Sequence, residues 1–505
     1  MIAQAAASWH RLTLKEYRES RLAPKIKQSG PLLVLRIVNS PFVWTLVIGS
    51  VFGLGLMFLA DMETRWIVYA AAAMLGFLVF LIAPNKERLL VSVFILSLQV
   101  DVYVRLMYGR AGSSEGIAIP LVFITGFALV LWITIAEGEA RTLRRAGTMG
   151  LPILAVFVTT ALSIVTSTER FIGVTRLIFL FELYFVYWLT FNIVKSQENF
   201  DRVIKLLFLT LAIQSVVYFV ESALGVNFSL NGDTFEGGEV PRPGGTVSAN
   251  PAGFDSFITP ILLIATAMFV AKRPPIRVPL LPVLVLMGAG AIGLSFTRAA
   301  WAGFIIGFVA ICMLCSRRRM LQKSKVVGVA IAIGILGLAL LPIMMVRLQG
   351  DYGGESALDE RLRLNIIALN VIAAHPLTGV GAGAYASSFR GYVPAGMDQW
   401  LYTVHNQFLL VAAETGIPGA IALIALLVMG FRVALRLSRA DDPRISLSAI
   451  GWIGGLLALI WQMSWVPWLG FPYNAILWLV LGVMDGAESF LTLRARPEHR
   501  RVSRQ

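Results

Sequence analysis

Apolar runs of about twenty residues recur along almost the whole chain, and each is separated from the next by a short polar segment. A helix needs ~20 apolar residues to cross the hydrocarbon core of a bilayer. Runs near that length begin around Val43, Trp66, Leu89, Gly116, Leu151, Val174, Val203, Pro251, Val278, Ala299, Lys325, Ile417, Ile450 and Phe471. The pattern predicts an all-α polytopic membrane protein with about 14 transmembrane helices, because a spanning helix satisfies its backbone polar groups internally. A composition of 57% hydrophobic and 14% charged residues excludes an ordinary soluble domain.

The polar segments orient the spans. With the N-terminus taken as cytoplasmic, every second segment carries a Lys and Arg excess, as inward loops should. Examples are Lys86 with Arg88, Lys195 with Arg202 and Lys205, and Arg317 to Lys325, and the series ends in the tail from Arg494 to Arg504. Both termini are expected in the cytoplasm. The resulting division is a basic extension over 1–42, eleven helices over 43–343, an outer loop over 344–416, three helices over 417–491 and a basic tail over 492–505. The first forty residues are polar and basic, so no cleavable signal is expected. The net charge of +14 arises from short clusters without a basic face, which argues against nucleic acid as a partner and for membrane lipids. All lysines fall on the inward side, whereas outward segments use arginine alone. Arginine grips phosphate or carboxylate in bidentate fashion, so this bias fits either an anionic ligand outside or simple avoidance of lysine there.

The outer loop between the eleventh and twelfth helices is too long to lack structure of its own. Ala357 to Ala374 has helical apolar spacing with Asp359 and Glu360 in its first turn and Pro376 just beyond its end, which predicts an amphipathic helix along the outer surface. The following HPLTGVGAGAYASSF is expected to form a tight, closely packed turn. His405 to Ala413 reads as a short helix broken by Gly416 and Pro418.

Of four histidines, His10 and His499 sit in the basic ends, which leaves His375 and His405 outside. His405 suits general-base work or the capping of the short helix. Glu414 either orients His405 or satisfies backbone donors at the Gly416 turn. Arg361 either serves a ligand or pairs with Asp359 or Glu360. The two cysteines, Cys312 and Cys315, read as small hydrophobes near the end of a span. Scattered outer acids such as Asp233, Glu236 and Glu239 give no paired carboxylates for a metal, and no metal or cofactor is expected. Asp101, placed in the third span, and Arg176 with Glu182, placed in the sixth, raise a transporter or flippase reading. Transporters tend to show two matching halves with broken helices. No such repeat is visible, and the large outer loop with its histidine favours an enzyme.

The segment VHNQFLLVAAETGIPGAIALI resembles the signature of the O-antigen ligase and O-antigen polymerase superfamily through His405, Asn406, Leu409, Glu414, Gly416 and Gly419. Upstream, HPLTGVGAGAY is similar to that family's glycine stretch at Pro376, Gly379, Gly381, Gly383 and Tyr385. SFTRAAWAGFIIG resembles its Ser-x-Arg segment with Arg298, and RPGGTVSANPAGF its Arg-x-x-Gly stretch with Arg242. The resemblance covers Arg242 to Gly419. It implies a multi-pass protein of the bacterial inner membrane, with the outer loop periplasmic, that transfers glycan from undecaprenyl diphosphate to a sugar hydroxyl. The acceptor would be a second lipid-linked glycan in a polymerase or the lipid A core in a ligase, with a lean towards polymerisation of exopolysaccharide, capsule or O-antigen. It further implies His405 as the base, Glu414 as its support and Arg298, Arg242 and Arg361 as holders of the leaving diphosphate, in an inverting, metal-independent displacement. Polysaccharide assembly and chain-length proteins are the partners that such a role suggests.

Overall fold

The computed structural model describes residues 74–108, 116–137, 147–226, 243–248, 250–274, 280–349, 357–397 and 403–494. Residues up to Lys86 belong to a separate unit, in which residues 74–82 are helical. From there the helices are α1 (Lys86–Ser97), α2 (Leu121–Glu137), α3 (Gly150–Thr166), α4 (Arg170–Ile193), α5 (Gln197–Leu224), α6 (Pro251–Val270) and α7 (Leu281–Leu294). They continue with α8 (Arg298–Arg317), α9 (Lys323–Gln349), α10 (Ala357–Ala374), the short α11 (Tyr385–Ser388), α12 (Gln407–Leu437), α13 (Pro443–Met463) and α14 (Phe471–Arg494). Each apolar run expected from Leu89 onward coincides with one of these helices or lies within a few residues of its start. Among the described residues seven helices, α4, α5, α6, α8, α12, α13 and α14, are long and apolar enough to cross a membrane, and α2, α3 and α7 are shorter apolar helices. The run from Val43, the start of the run from Trp66 and both terminal extensions lie outside the described residues.

Two expectations change. The chain is mostly helical but not purely so, because β1 (Tyr103–Tyr108) and β2 (Gly116–Pro120) form an antiparallel hairpin with Tyr103 opposite Pro120 and an irregularity between Arg105 and Met107. Asp101 is not in a span. It follows the end of α1 and donates its backbone N–H to the Thr246 carbonyl at 2.9 Å. The apolar run had hidden this boundary because Val100, Val102 and Val104 suit a strand as well as a helix.

Local chemistry sets several helix starts. Ser196 caps α5, Asn250 caps α6 and Asp442 caps α13, each side chain accepting from a backbone N–H of the first turn at 3.2, 2.9 and 2.8 Å. Proline opens both α6 and α13, where its missing N–H goes unneeded. The start of α3 is held differently. The buried Asp485 carboxylate of α14 accepts from the backbone of Thr148 (2.9 Å) and Met149 (3.1 Å) and from the Tyr187 hydroxyl (2.5 Å). Ion pairs gather at the same end of the bundle: Arg88 and Arg202 share Glu198, Arg444 joins Asp201 to Asp442, and Arg436 pairs with Glu488.

Helix α6 is the centre of the bundle, buried along almost its entire length and packed by α5, α7, α8, α13 and α14. Outer helices keep apolar faces uncovered. On α3, Leu151, Leu154, Val158, Leu162 and Val165 form one stripe at helical spacing, and α12 repeats the device with Ile417, Ile421, Ile424 and Val428. Such stripes would be an aggregation hazard in water and suit a lipid surround. Inside, small residues let backbones approach. Gly303 and Gly307 of α8 face Ala458 and Gly454 of α13, and Gly451 and Gly455 of α13 face Ile264 and Pro260 of α6. A Cβ at Gly307 would sit 2.7 Å from the Gly454 carbonyl oxygen. Gly307→Ala should therefore destabilise by ~1–3 kcal/mol through overpacking, read as a lower unfolding midpoint of the purified protein in detergent. Gly328→Ala, with nothing within 4 Å, should leave the midpoint unchanged or slightly raised.

Candidate functional site

The helix expected over Ala357–Ala374 is α10. Leu364, Ile367, Ala368 and Val371 on one side of it pack with Tyr385, Phe389, Val404, Leu410 and Ala413 into a core separate from that of the bundle. His375, at the end of α10, lies 2.6 Å from the Tyr392 hydroxyl through Nε2, while Asn370 donates to the Tyr392 carbonyl at 3.1 Å. These contacts account for His375 as a fastening of the outer segment.

The glycine stretch after α10 forms a seam with α12. Val380 and Gly381 donate their backbone N–H to the carbonyls of Ala413 and Glu414, each at 2.9 Å, and Ile417 donates back to Pro376 at 2.8 Å. Gly379, Gly381, Gly383 and Gly416 all have φ between 64° and 110°, a region other residues avoid. Their missing side chains matter as much as their backbone angles. A Cβ on Gly379 would run into the Glu414 carbonyl, one on Gly416 into Leu377, and one on Gly381 into Ser167. One on Gly383 would lie 2.8 Å from Cγ of Arg176. Ala382 donates its N–H to Ser163 Oγ at 3.1 Å. The seam thus ties the outer loop both to the kink in α12 and to the corner between α3 and α4.

His405 stands where this seam leads into the bundle. Asn406, not His405, caps α12: its Oδ1 accepts from the N–H of Phe408 (3.0 Å) and Leu409 (3.1 Å). His405 lines a cavity of about 300 Å³ together with Arg361, Asn365, Asn406, Trp461 and Trp465. The Arg361 guanidinium lies over the Trp465 ring, 5.6 Å from its centre, a cation–π geometry that holds the charge beside the cavity. Burial pushes the His405 pKa below the ordinary imidazole range and the Arg361 charge adds to this, with the Thr403 backbone opposing. The imidazole is therefore neutral at neutral pH. His405 Nδ1 and the indole nitrogens of Trp461 and Trp465 are buried without a hydrogen-bond partner in the protein. Burying such a group unsatisfied costs about 1–3 kcal/mol.

The other expected residues are distributed differently. Arg361 joins His405. Glu414 is not among the residues lining the cavity; at the seam its carbonyl accepts from Gly381, and its carboxylate, after burial, helps raise the pKa of the Tyr385 hydroxyl. Arg298 is exposed at the first turn of α8. Extending the pairing of Gly303 with Ala458 and of Gly307 with Gly454 brings Arg298 level with Met463, between the cavity residues Trp461 and Trp465. Ser295, three residues before Arg298, donates its hydroxyl to the buried Asp255 of α6 at 2.7 Å. Arg242 lies outside the described residues. The segment just after it, 243–248, is buried except at the half-buried Thr246 and Ser248, with Gly245 donating to Glu221 at 2.9 Å and Thr246 accepting from Gln214 at 2.6 Å.

Three residues were not anticipated at the site. Trp461 and Trp465 come from the end of α13, and their spacing of four on one helix face was the available signal. Arg176 is near the outer end of α4, against Gly383, and interacts electrostatically with Tyr473, as does Asp101. It shares no side of the helix with Glu182, which is buried deeper in α4. Among the described residues no group of three or more His, Cys, Asp or Glu side chains is arranged to hold a metal.

Gly416→Ala should destabilise by at least ~1–2 kcal/mol from its left-handed backbone alone, with loss of folded protein or of activity measured on purified samples. Gly391→Ala, with open space around it, should behave as wild type.

Residues 282–424, from α7 through the first half of α12, match the family model described as O-antigen ligase. That segment contains Arg298, the glycine seam and His405, three of the four stretches that carry the resemblance. No curated protein matches the chain significantly. Over residues 282–424 the chain is thus similar to the O-antigen ligase family, and this match, in a chain with seven described helices long and apolar enough to cross a membrane, supports a multi-pass membrane glycosyltransferase of the ligase or polymerase type.

Proposed function

We propose that the chain transfers glycan from undecaprenyl diphosphate to an acceptor sugar hydroxyl at the periplasmic face of the inner membrane, during polymerisation of a surface polysaccharide. The observation that carries this reading is His405, neutral and uncapped, in a cavity beside the Arg361 guanidinium. In the proposed step the acceptor oxygen forms a bond to the anomeric carbon as the bond from that carbon to the diphosphate oxygen breaks. His405 takes the hydroxyl proton, and the electron pair leaves with the diphosphate. A single displacement of this kind inverts the anomeric centre. Arg361 and Arg298, with Arg242, supply the positive charge that the departing diphosphate needs. The chemistry asks for no metal, since guanidinium groups take that role.

The outer-face placement is supported by the bundle's polarity. The cavity and seam lie at the end of the helices opposite the one where Arg88, Arg202, Arg436 and Arg444 make their ion pairs, and inward loops are the expected home of such basic clusters.

His405→Ala should lower turnover ~10²–10⁴-fold, the usual worth of a general base. In a deletion strain it should fail to restore polysaccharide, whereas the wild-type gene should restore it. On gels of lipopolysaccharide and extracellular polysaccharide, loss of long chains fits polymerisation. Unattached lipid-linked chains would identify a ligase, and full complementation by His405→Ala would remove His405 from the mechanism.

The pH profile gives a second test. Because the charged form of His405 is disfavoured, the neutral base persists to lower pH than an ordinary imidazole allows. The acid limb of kcat/KM should therefore lie below 6.5, the ordinary value. Removing the Arg361 charge by Arg361→Gln should raise the His405 pKa and move that limb to higher pH.

A further inference from the structure

Resting on the reading of His405 as the transfer site, we propose that Trp461 forms a stacking floor for a pyranose ring of the acceptor glycan, and that Trp465 positions Arg361 beside it. Trp461 and Trp465 line the cavity with His405, their rings 5.6 Å apart and inclined at 50°. One face of Trp465 is taken by the Arg361 guanidinium, 5.6 Å from the ring centre. Among the described residues no cation stands over Trp461. The negative face of an indole repels an anion and attracts the C–H face of a sugar, whose hydrogens bear partial positive charge.

The cavity, about 300 Å³, matches the small end of ligand sites and suits a single ring better than an extended chain. The ring in it belongs to the acceptor, because a base must lie within hydrogen-bond reach of the proton it removes and His405 lines this same space. Trp461 acts as a binding residue, since it touches substrate without taking part in bond making. Trp465 is a positioning residue that acts through Arg361.

The test uses the purified full-length protein in lipid nanodiscs and a short oligosaccharide released from the host's own surface polysaccharide. Saturation-transfer NMR reads binding of the sugar ring without turnover. The expected result is transfer to the oligosaccharide in wild type, in His405→Ala and in Trp461→Phe, which keeps a ring. Trp461→Ala should lose it, with an acceptor KM raised at least tenfold and kcat changed much less. Trp461→Leu, which keeps bulk without a ring, should behave like Trp461→Ala and replaces it if that variant does not fold. Trp465→Phe should leave sugar binding in place, whereas Trp465→Ala should shift the acid limb of kcat/KM towards the position seen with Arg361→Gln. Wild-type binding by Trp461→Ala and Trp461→Leu, no transfer in wild type, or equal loss in Trp461→Phe would overturn the stacking role. Retained turnover in His405→Ala would instead remove the catalytic reading while the binding data still decide the role of Trp461.

Discussion

A seam of main-chain hydrogen bonds between the glycine stretch and the kink of α12 fixes the course of the chain between α10 and α12. Val380, Gly381 and Ile417 donate across it, and the chains approach so closely that a methyl group at Gly379 or Gly416 would strike carbonyl atoms. Hydrogen bonds between backbones depend little on the surrounding side chains, which makes such a seam a firm reference for the residues beside it. His405 sits one short helix segment away from it, with Asn406 taking the capping duty that would otherwise occupy the imidazole's neighbourhood.

The bundle below supplies the second half of the cavity. Without a hydrophobic drive between helices in lipid, close packing and internal polar contacts must hold them. Here that is done by the glycine pairs of α8 and α13 and by a buried polar chain. Gln462 of α13 accepts from Ser256 and donates to Thr259 of α6. Asp255, on the same helix, holds Ser295 just ahead of Arg298. The same turn of α13 that carries Gln462 carries Trp461, so one set of contacts registers the tryptophans against the arginine at the start of α8. Gln407 of α12 closes the circuit by accepting from the Trp468 backbone at 2.7 Å.

Much of this was legible in the sequence. Apolar run length located the helices, since a membrane allows few alternatives, and the helical spacing of Ala357 to Ala374 gave α10. Only the family resemblance put Arg361 with His405; residue spacing alone could not, because α10 and α12 are joined by a folded segment whose course depends on four left-handed glycines. The tryptophans escaped notice for a related reason: in a membrane chain, an aromatic near a helix end reads as an interfacial anchor, and only tertiary packing turns it toward a cavity. Asp101 was misplaced because valine-rich sequence does not distinguish a strand from the last turn of a span. At Glu414, which the motif singles out, the backbone carbonyl takes part in the seam by accepting from Gly381.

In the proposed function the cavity of His405 and Arg361 opens to the outer face and receives the lipid-linked substrate. Asn365 lines that cavity, and Cys312 and Cys315, both free, can be replaced by serine to leave a single reporter. The direct measurement is labelling of Asn365→Cys in intact spheroplasts by a membrane-impermeant maleimide, with and without accumulated lipid-linked glycan. The account predicts labelling from outside and protection when the glycan is present. Labelling only after the membrane is opened, or labelling indifferent to the glycan, would contradict it.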